Sequence, residues 1–300
     1  MRRSLIATIA ILGLVAGACG GDDDGASAPV DTTADTTADT TPATDAPAEA
    51  CATGKTITDG VLTIATGEPA FPPYVIDNDP TNKQGFEAAV AWAVAAEMGF
   101  DDASVTWVRT TFDEAIQPGA KNFDFNLQQY SISPEREQSI TFSDPYFTSN
   151  QAVVALNGSA AQGVTSIDDL RVLKFGAQSG TTSLAFITDV IKPEQEPFVY
   201  DDNVAVKAAM EANQIDAAVF DLPTALYVSA VEIENSSVVA QFPRSAGGAA
   251  DEFGLVLEKD NPLVECVNSA IAAIRDSGEL DAITDQWMET GDVAPVIEVG

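Results

Sequence analysis

Arg136 is the residue to which chemistry can first be assigned. It lies in the string QYSISPERE (129–137), which runs on into ITFSDPYF (140–147). Ser133 is a favourable helix N-cap and Pro134 suits the first helical position, so a short helix with Arg136 in its first turn is predicted. A guanidinium beside free backbone N–H groups is a carboxylate receptor, because its planar fork pairs both oxygens and the helix-start amides add donors. The alternative is a surface Arg answering Glu135 or Glu137. A second candidate is Asp221, at the end of the strand-like QIDAAVFD (214–221) and directly before Leu222 and Pro223. It is either the N-cap of the following helix or an anion facing a cleft. Between the two, VLKFGAQSGTTS (172–183) reads as a strand running into a Gly-Thr-Thr turn. That turn puts the amides and hydroxyls of Thr181 and Thr182 at a helix start, again ready for an anion, although the tripeptide alone is a weak signal.

These residues need elements to carry them. VLTIATG (61–67) alternates like a strand and leads into EPAFPPYVI (68–76), a Pro-punctuated loop whose Phe71 and Tyr74 suit a pocket wall. GFEAAVAWAVAAEMG (85–99) predicts a helix over 86–98 with Gly99 as its stop. SVTWVR (104–109) is the next strand, followed by a short helix from about Thr111 with Phe112 at its entry. FDFNLQQ (123–129) is a strand that delivers the Arg136 motif at its carboxyl end, where ligands collect in open α/β sheets. QAVVALNG (151–158) is an apolar strand long enough to cross between lobes, and a second βα series follows it. ADEFGLVLEKDNPL (250–263) predicts a return strand, then a turn in which Asn261 caps and Pro262 starts a long helix. The alternation implies two α/β lobes. Residues 51–151 and 247–290 form a discontinuous first lobe, 152–246 the second, and 291–300 a C-terminal tail.

Composition narrows the function. A net charge of −32, with only 14 Lys and Arg, argues against nucleic acid and against an anionic membrane surface. The absence of His removes the usual general base and excludes Ser-His-Asp triads, Cys-His pairs and His-ligated metals. The three Cys are too scattered for a zinc or iron–sulfur spacing. Neither metal nor cofactor is expected, and the chain is read as a monomeric binder and not an enzyme. Arg2 and Arg3 before an apolar run over 5–15 mark residues 1–18 as a signal peptide. The AGAC string (16–19) resembles the lipobox of bacterial lipoproteins, with Ala16 where Leu is usual; that resemblance implies a diacylglyceryl anchor on Cys19. Residues 19–50, with GGDDDG and DTTADTTADTT, carry too little apolar surface to fold and form an acidic, disordered stalk. Export permits a disulfide, and Cys51 and Cys266 are then the remaining pair. The alternative is a buried, inert Cys266 with a free Cys51.

Taken together, SISPERE with ITFSDPYF, Gly-Thr-Thr, IDAAVFD, DNPL and the terminal Trp helix occur in the order found in the family 3 extracellular solute-binding proteins. Over about residues 61–289 the chain resembles that family, the amino-acid receptors of bacterial ATP-binding-cassette importers. The resemblance implies an α/β, two-lobed periplasmic-binding-protein-like fold (type II) with two hinge strands. It implies that Arg136 clamps the α-carboxylate of an amino acid, helped by the N–H of Ser131 and by Thr182, with Thr181 in the same turn. Asp221 would take the α-ammonium together with the carbonyl of Gln129 and the hydroxyl of Ser131. Phe71 and Phe112 would sandwich the side chain. Glu68 falls where binders of basic amino acids place an acid, although it could equally be solvated in its loop. Departures from the family pattern are Ala89, where a second acid is common, and Gln128 and Gln129, where small residues are frequent. The implied partner is an ATP-binding-cassette permease, at the outer face of the cytoplasmic membrane. A ligand sensor for signalling and a dehydratase-like enzyme on the same fold are the alternatives.

Overall fold

The computed structural model describes residues 51–246, 250–288 and 294–299. The signal peptide, the stalk and Cys19 lie outside the described residues. The elements run β1 (Leu62–Gly67), α1 (Phe86–Glu97), β2 (Val105–Thr110), α2 (Phe112–Ile116), β3 (Phe125–Asn126), β4 (Ile140–Ser149) and β5 (Gln151–Leu156). They continue as α3 (Ile167–Arg171), β6 (Phe175–Gln178), α4 (Thr182–Phe186), β7 (Phe198–Tyr200), α5 (Asn203–Glu211), β8 (Ala217–Asp221) and α6 (Leu222–Tyr227). The last are β9 (Ser236–Gln241), β10 (Asp251–Glu258), α7 (Val264–Asp276) and α8 (Glu279–Trp287).

Two five-stranded mixed sheets result, ordered β2-β1-β3-β10-β4 and β7-β6-β8-β5-β9. In the first, β1 is parallel to β2 and β3, while β10 runs antiparallel to β3 and β4. In the second, β6 is parallel to β7 and β8, while β5 is antiparallel to β8 and β9. Strand alternation divides each lobe's interior. Val153, Ala155, Ala217 and Val219 face a core with Leu170 and Phe186, whereas Ala152, Val154, Ala218 and Phe220 face one with Val206 and Met210. In the first lobe, α1, α7 and α8 pack on one sheet face through Val90, Val94, Val267, Ile271 and Leu280. Burying such faces supplies the main driving force for folding, at about 25 cal/mol per Å² of apolar surface.

The chain passes from one sheet to the other within a single residue. Ser149, the last of β4, pairs with Asp251, and Gln151, the first of β5, pairs with Asp221, leaving Asn150 between them. The return passes from β9 to β10. Neither β4 nor β9 is evident in the sequence pattern, and FDFNLQQ yields only the two-residue β3. Asp144 and Pro145 make β4 look like a loop, but it lies at a sheet edge, where a missing N–H is tolerated, and its register with β10 shifts at that point. Cys51 and Cys266 are joined by a disulfide, which ties the start of the folded region to α7. Residues 294–299, assigned above to a separate tail, lie along β9: Gln241 donates to the Pro295 carbonyl at 2.9 Å and Ile297 is buried in the second lobe.

Candidate functional site

The carboxyl ends of the parallel strands of both sheets converge on one cavity of about 230 Å³. Glu68 follows β1, Phe112 follows β2, and Gln129 and Ser131 follow β3; Thr181 and Thr182 follow β6, Asp201 and Asp202 follow β7, and Asp221 ends β8. All nine residues singled out for ligand contact, Glu68, Phe71, Phe112, Gln129, Ser131, Arg136, Thr181, Thr182 and Asp221, line it. The loop bearing Phe71 and Tyr74 is held by the start of α1. Glu87 and Ala88 donate to the Tyr74 carbonyl, and Gly85, at φ +102°, approaches so closely that a Cβ would sit 2.4 Å from that oxygen. Only glycine fits there.

Arg136 opens a short 3-10 turn (Arg136–Gln138) instead of occupying the first turn of a helix, and its N–H bonds the Ser133 hydroxyl at 3.3 Å. Its guanidinium is not an isolated surface group. It donates to the Ser131 carbonyl at 2.7 Å and, across the cleft, to the Gly180 carbonyl at 2.8 Å, with its carbon 5.4 Å from the Phe112 ring centre. Burial lowers its pKa somewhat, but an Arg remains charged. Two further contacts join the lobes here: Ser131 Oγ to Thr182 Oγ1 at 3.3 Å, and Tyr74 Oη to Thr224 Oγ1 at 3.1 Å.

Asp221 occupies the N-cap position of α6, yet its side chain makes no capping bond. Its carboxylate accepts from Gln151 Nε2 at 3.2 Å and faces the cavity. Burial and the neighbouring Asp251 push its pKa well above the usual carboxylate range, while Arg136 pulls it down. A cation arriving beside it would relieve both penalties. Gln129 takes a left-handed φ of +52° and is pinned from below by Glu87. Its N–H reaches Glu87 Oε1 at 2.8 Å, its side-chain amide binds Oε2, and Tyr146 Oη donates to Oε1 at 2.6 Å. Even so, burial raises the Glu87 pKa to about 7.

The remaining candidates carry local duties. Thr181 caps α4, accepting from the Leu184 N–H at 3.1 Å and donating to the Gln178 carbonyl at 2.8 Å. Glu68 accepts from Asn78 Nδ2 at 3.3 Å and lies 3.8 Å from Arg109 Nε, so it is not simply solvated in its loop. Phe71 carries Lys207 of the second lobe over its ring at 4.5 Å, and Phe112 stacks on Tyr130 at 4.6 Å. Thr224, Asp201, Asp202 and Gln151 were not signalled by the sequence pattern. Glu87 had two signals: it is the acid retained after Gly85-Phe86 where the family pattern carries one, and it lies near the start of a helix that is otherwise apolar almost to its end.

Residues 62–290 match the bacterial extracellular solute-binding proteins, family 3. The chain belongs to that family. This family 3 solute-binding protein is 27% identical over 237 residues to the arginine-binding periplasmic protein of Mannheimia haemolytica, across 78% of this chain and 94% of that relative. It is 28% identical over 247 residues to a probable histidine-binding protein of Campylobacter jejuni, across 79% and 92% of the two chains. Among solved structures, an ancestral arginine-binding protein bound to arginine superposes with a TM-score of 0.61 at 26% identity, covering 77% of this chain and 99% of that one. The family 3 solute-binding protein thus has the two-lobed α/β fold of type II periplasmic binding proteins.

Proposed function

We propose that the protein captures an L-amino acid between its lobes and delivers it to an ATP-binding-cassette importer. The observation that carries the reading is a pair of complementary charges in one cavity, Arg136 from the first lobe and Asp221 from the second. An α-carboxylate fits the guanidinium, the Ser131 N–H and Thr182. An α-ammonium fits Asp221, the Gln129 carbonyl and the Ser131 hydroxyl. Because the partners come from different lobes, a zwitterion binds the closed arrangement better than an open one, and this differential affinity is what drives closure. Charge-assisted bonds at roughly 1.5–3 kcal/mol each support micromolar or tighter binding after the cost of association.

For the ligand side chain, Phe71 and Phe112 supply apolar walls, and Glu68, Asp201 and Asp202 add three acids to a lining whose only Lys or Arg among the described residues is Arg136. Even with Arg109 beside Glu68 and Lys207 over Phe71, the acids of the lining outnumber the cations near it, which favours a cationic side chain, in keeping with the relative named for arginine. Export with a lipid on Cys19 would hold the receptor outside the cytoplasmic membrane on its acidic stalk.

The test is calorimetric titration with L-arginine and with L-citrulline, a neutral analogue of similar shape, after a thermal-shift screen of the L-amino acids. A ligand that binds only the folded state raises the melting temperature. L-Arginine is expected to bind more tightly than L-citrulline. Arg136→Ala and Asp221→Ala should each weaken the best ligand by at least about 2 kcal/mol, as truncating one half of a desolvated charge pair does. Wild-type affinity in both variants would overturn the zwitterion clamp.

A further inference from the structure

Gln151 is 3% exposed, and every polar atom of its side chain is engaged. Its Nε2 donates to Asp221 Oδ1 at 3.2 Å and to Asp251 Oδ2 at 2.8 Å, and its Oε1 accepts from the Ser183 hydroxyl at 2.8 Å. An amide nitrogen carries two hydrogens, so each carboxylate receives one, and turning the amide over would set its oxygen against both anions. The orientation is therefore determined. The position matters as much. Gln151 is the first residue of β5, immediately past the crossing from the first sheet, whereas Asp251 begins β10 after the return crossing and pairs with Ser149 of the first sheet. One side chain thus ties a carboxylate at the ligand cavity, in the second lobe, to the first residue of a strand in the other.

Neither carboxylate has a Lys or Arg at ion-pairing distance among the described residues. Two acids sharing one neutral donor repel each other, and Asp251 opposes the charging of Asp221. The other groups facing Asp221 are Glu87, which acts in the same sense, Arg136, which acts against it, and the Tyr74 phenol, whose own ionisation Asp221 opposes.

We propose that Gln151 and Asp251 are positioning residues that couple ammonium capture at Asp221 to the movement of the two strands crossing between the lobes. The inference rests on the reading of Asp221 as the ammonium partner. A ligand ammonium offsets one of the two negative charges, and the Gln151 amide, bonded to both acids at once, holds the crossing strands in the closed register while it does so. Merely structural residues would alter stability without altering how Asp221 titrates or how closure follows the ligand.

The experiment uses the full chain in two measurements. The first follows the Asp221 carboxyl carbon by NMR through a pH titration of the ligand-free protein, comparing wild type with Asp251→Asn, a near-isosteric change that keeps an oxygen acceptor for Gln151. The Asp221 midpoint is expected to fall by about one pH unit, as removal of a close like charge requires. The second follows the radius of gyration by small-angle X-ray scattering against an equimolar mixture of the twenty L-amino acids. Gln151→Leu should need at least about tenfold more of the mixture to contract, equivalent to about 1.4 kcal/mol. Gln151→Asn, which keeps the amide but shortens its reach, serves as the second variant. An Asp221 midpoint unmoved in Asp251→Asn, or contraction of both Gln151 variants at the wild-type concentration, overturns the coupling. If wild type and Asp221→Asn contract alike, the ammonium assignment is wrong and the inference falls with it. If Asp221→Asn fails to contract and the Asp221 midpoint of Asp251→Asn is unmoved, only the coupling is wrong.

Discussion

Replacing Glu87 with Gln should remove a pH dependence of stability that this single buried carboxyl imposes. Glu87 is 1% exposed, and its pKa rises from 4.5 to about 7 because desolvation outweighs the bonds from Tyr146 and Gln129. A carboxyl whose folded pKa lies above its unfolded value holds its proton more tightly when folded. The stability it contributes is complete below the unfolded value and is lost as pH rises through the folded one. Each pH unit between the two pKa values carries about 1.4 kcal/mol, so the full effect is on the order of 3 kcal/mol, most of which falls between about pH 5 and about pH 8. In Glu87→Gln the new carbonyl oxygen still accepts from Tyr146 and the Gln129 N–H, and the new amide is satisfied when the Gln129 amide turns over. Urea unfolding of both proteins at the two pH values checks this. The variant should gain roughly 2–3 kcal/mol on wild type between the acidic and the basic condition, because the titration of Asp124 is shared and cancels and Glu87 is the smallest of the influences on Asp221. A stability difference that is the same at both pH values would refute the assignment of a raised carboxyl at the base of the Gln129 loop.

Three further outcomes are expected. Removing the Cys51–Cys266 bond by a double Ser substitution opens a loop spanning 215 residues, and denaturant unfolding should show a loss of up to about 5 kcal/mol. Glu68→Gln should weaken L-arginine relative to L-citrulline by about 0.5–1 kcal/mol in calorimetry, the range for a solvent-accessible ion pair. Arg109 keeps its bonds to the Gly67 carbonyl and Asn78 in that variant, so the loop should stay in place. Gly85→Ala combines a φ of +102° with a clash on the Tyr74 carbonyl, and a fall in unfolding free energy of more than about 1 kcal/mol is expected.

Several parts of this molecule are written locally. The start of α2 follows from Thr111 and Glu114, which form a capping box, and the end of α1 from Gly99 at positive φ. The continuous apolar run of QAVVAL marks a strand buried on both faces without reference to the rest of the chain. The site residues were legible for a related reason: they sit at the carboxyl ends of strands, where a change from apolar periodicity to Ser, Thr, Asp and Arg is visible in one dimension. What each of them does was implied by the family resemblance and not by the residues themselves. Asp221 is a plausible cap by position, and only the structure shows that its side chain makes no capping bond and lines the cavity instead.

By itself, the amino-acid sequence determined that this chain forms strands and helices in two α/β series, with a guanidinium, a pair of threonines and an aspartate at their turns. Local propensity and periodicity act over a few residues, and those assignments need nothing more. The tertiary structure decided which charges are compensated. Glu87 reaches Gln129 across 42 residues, and Gln151 reaches Asp251 across 100. Such pairs are selected by how two sheets pack and where the chain crosses between them, and the energy of a buried charge depends on those neighbours more than on its own identity.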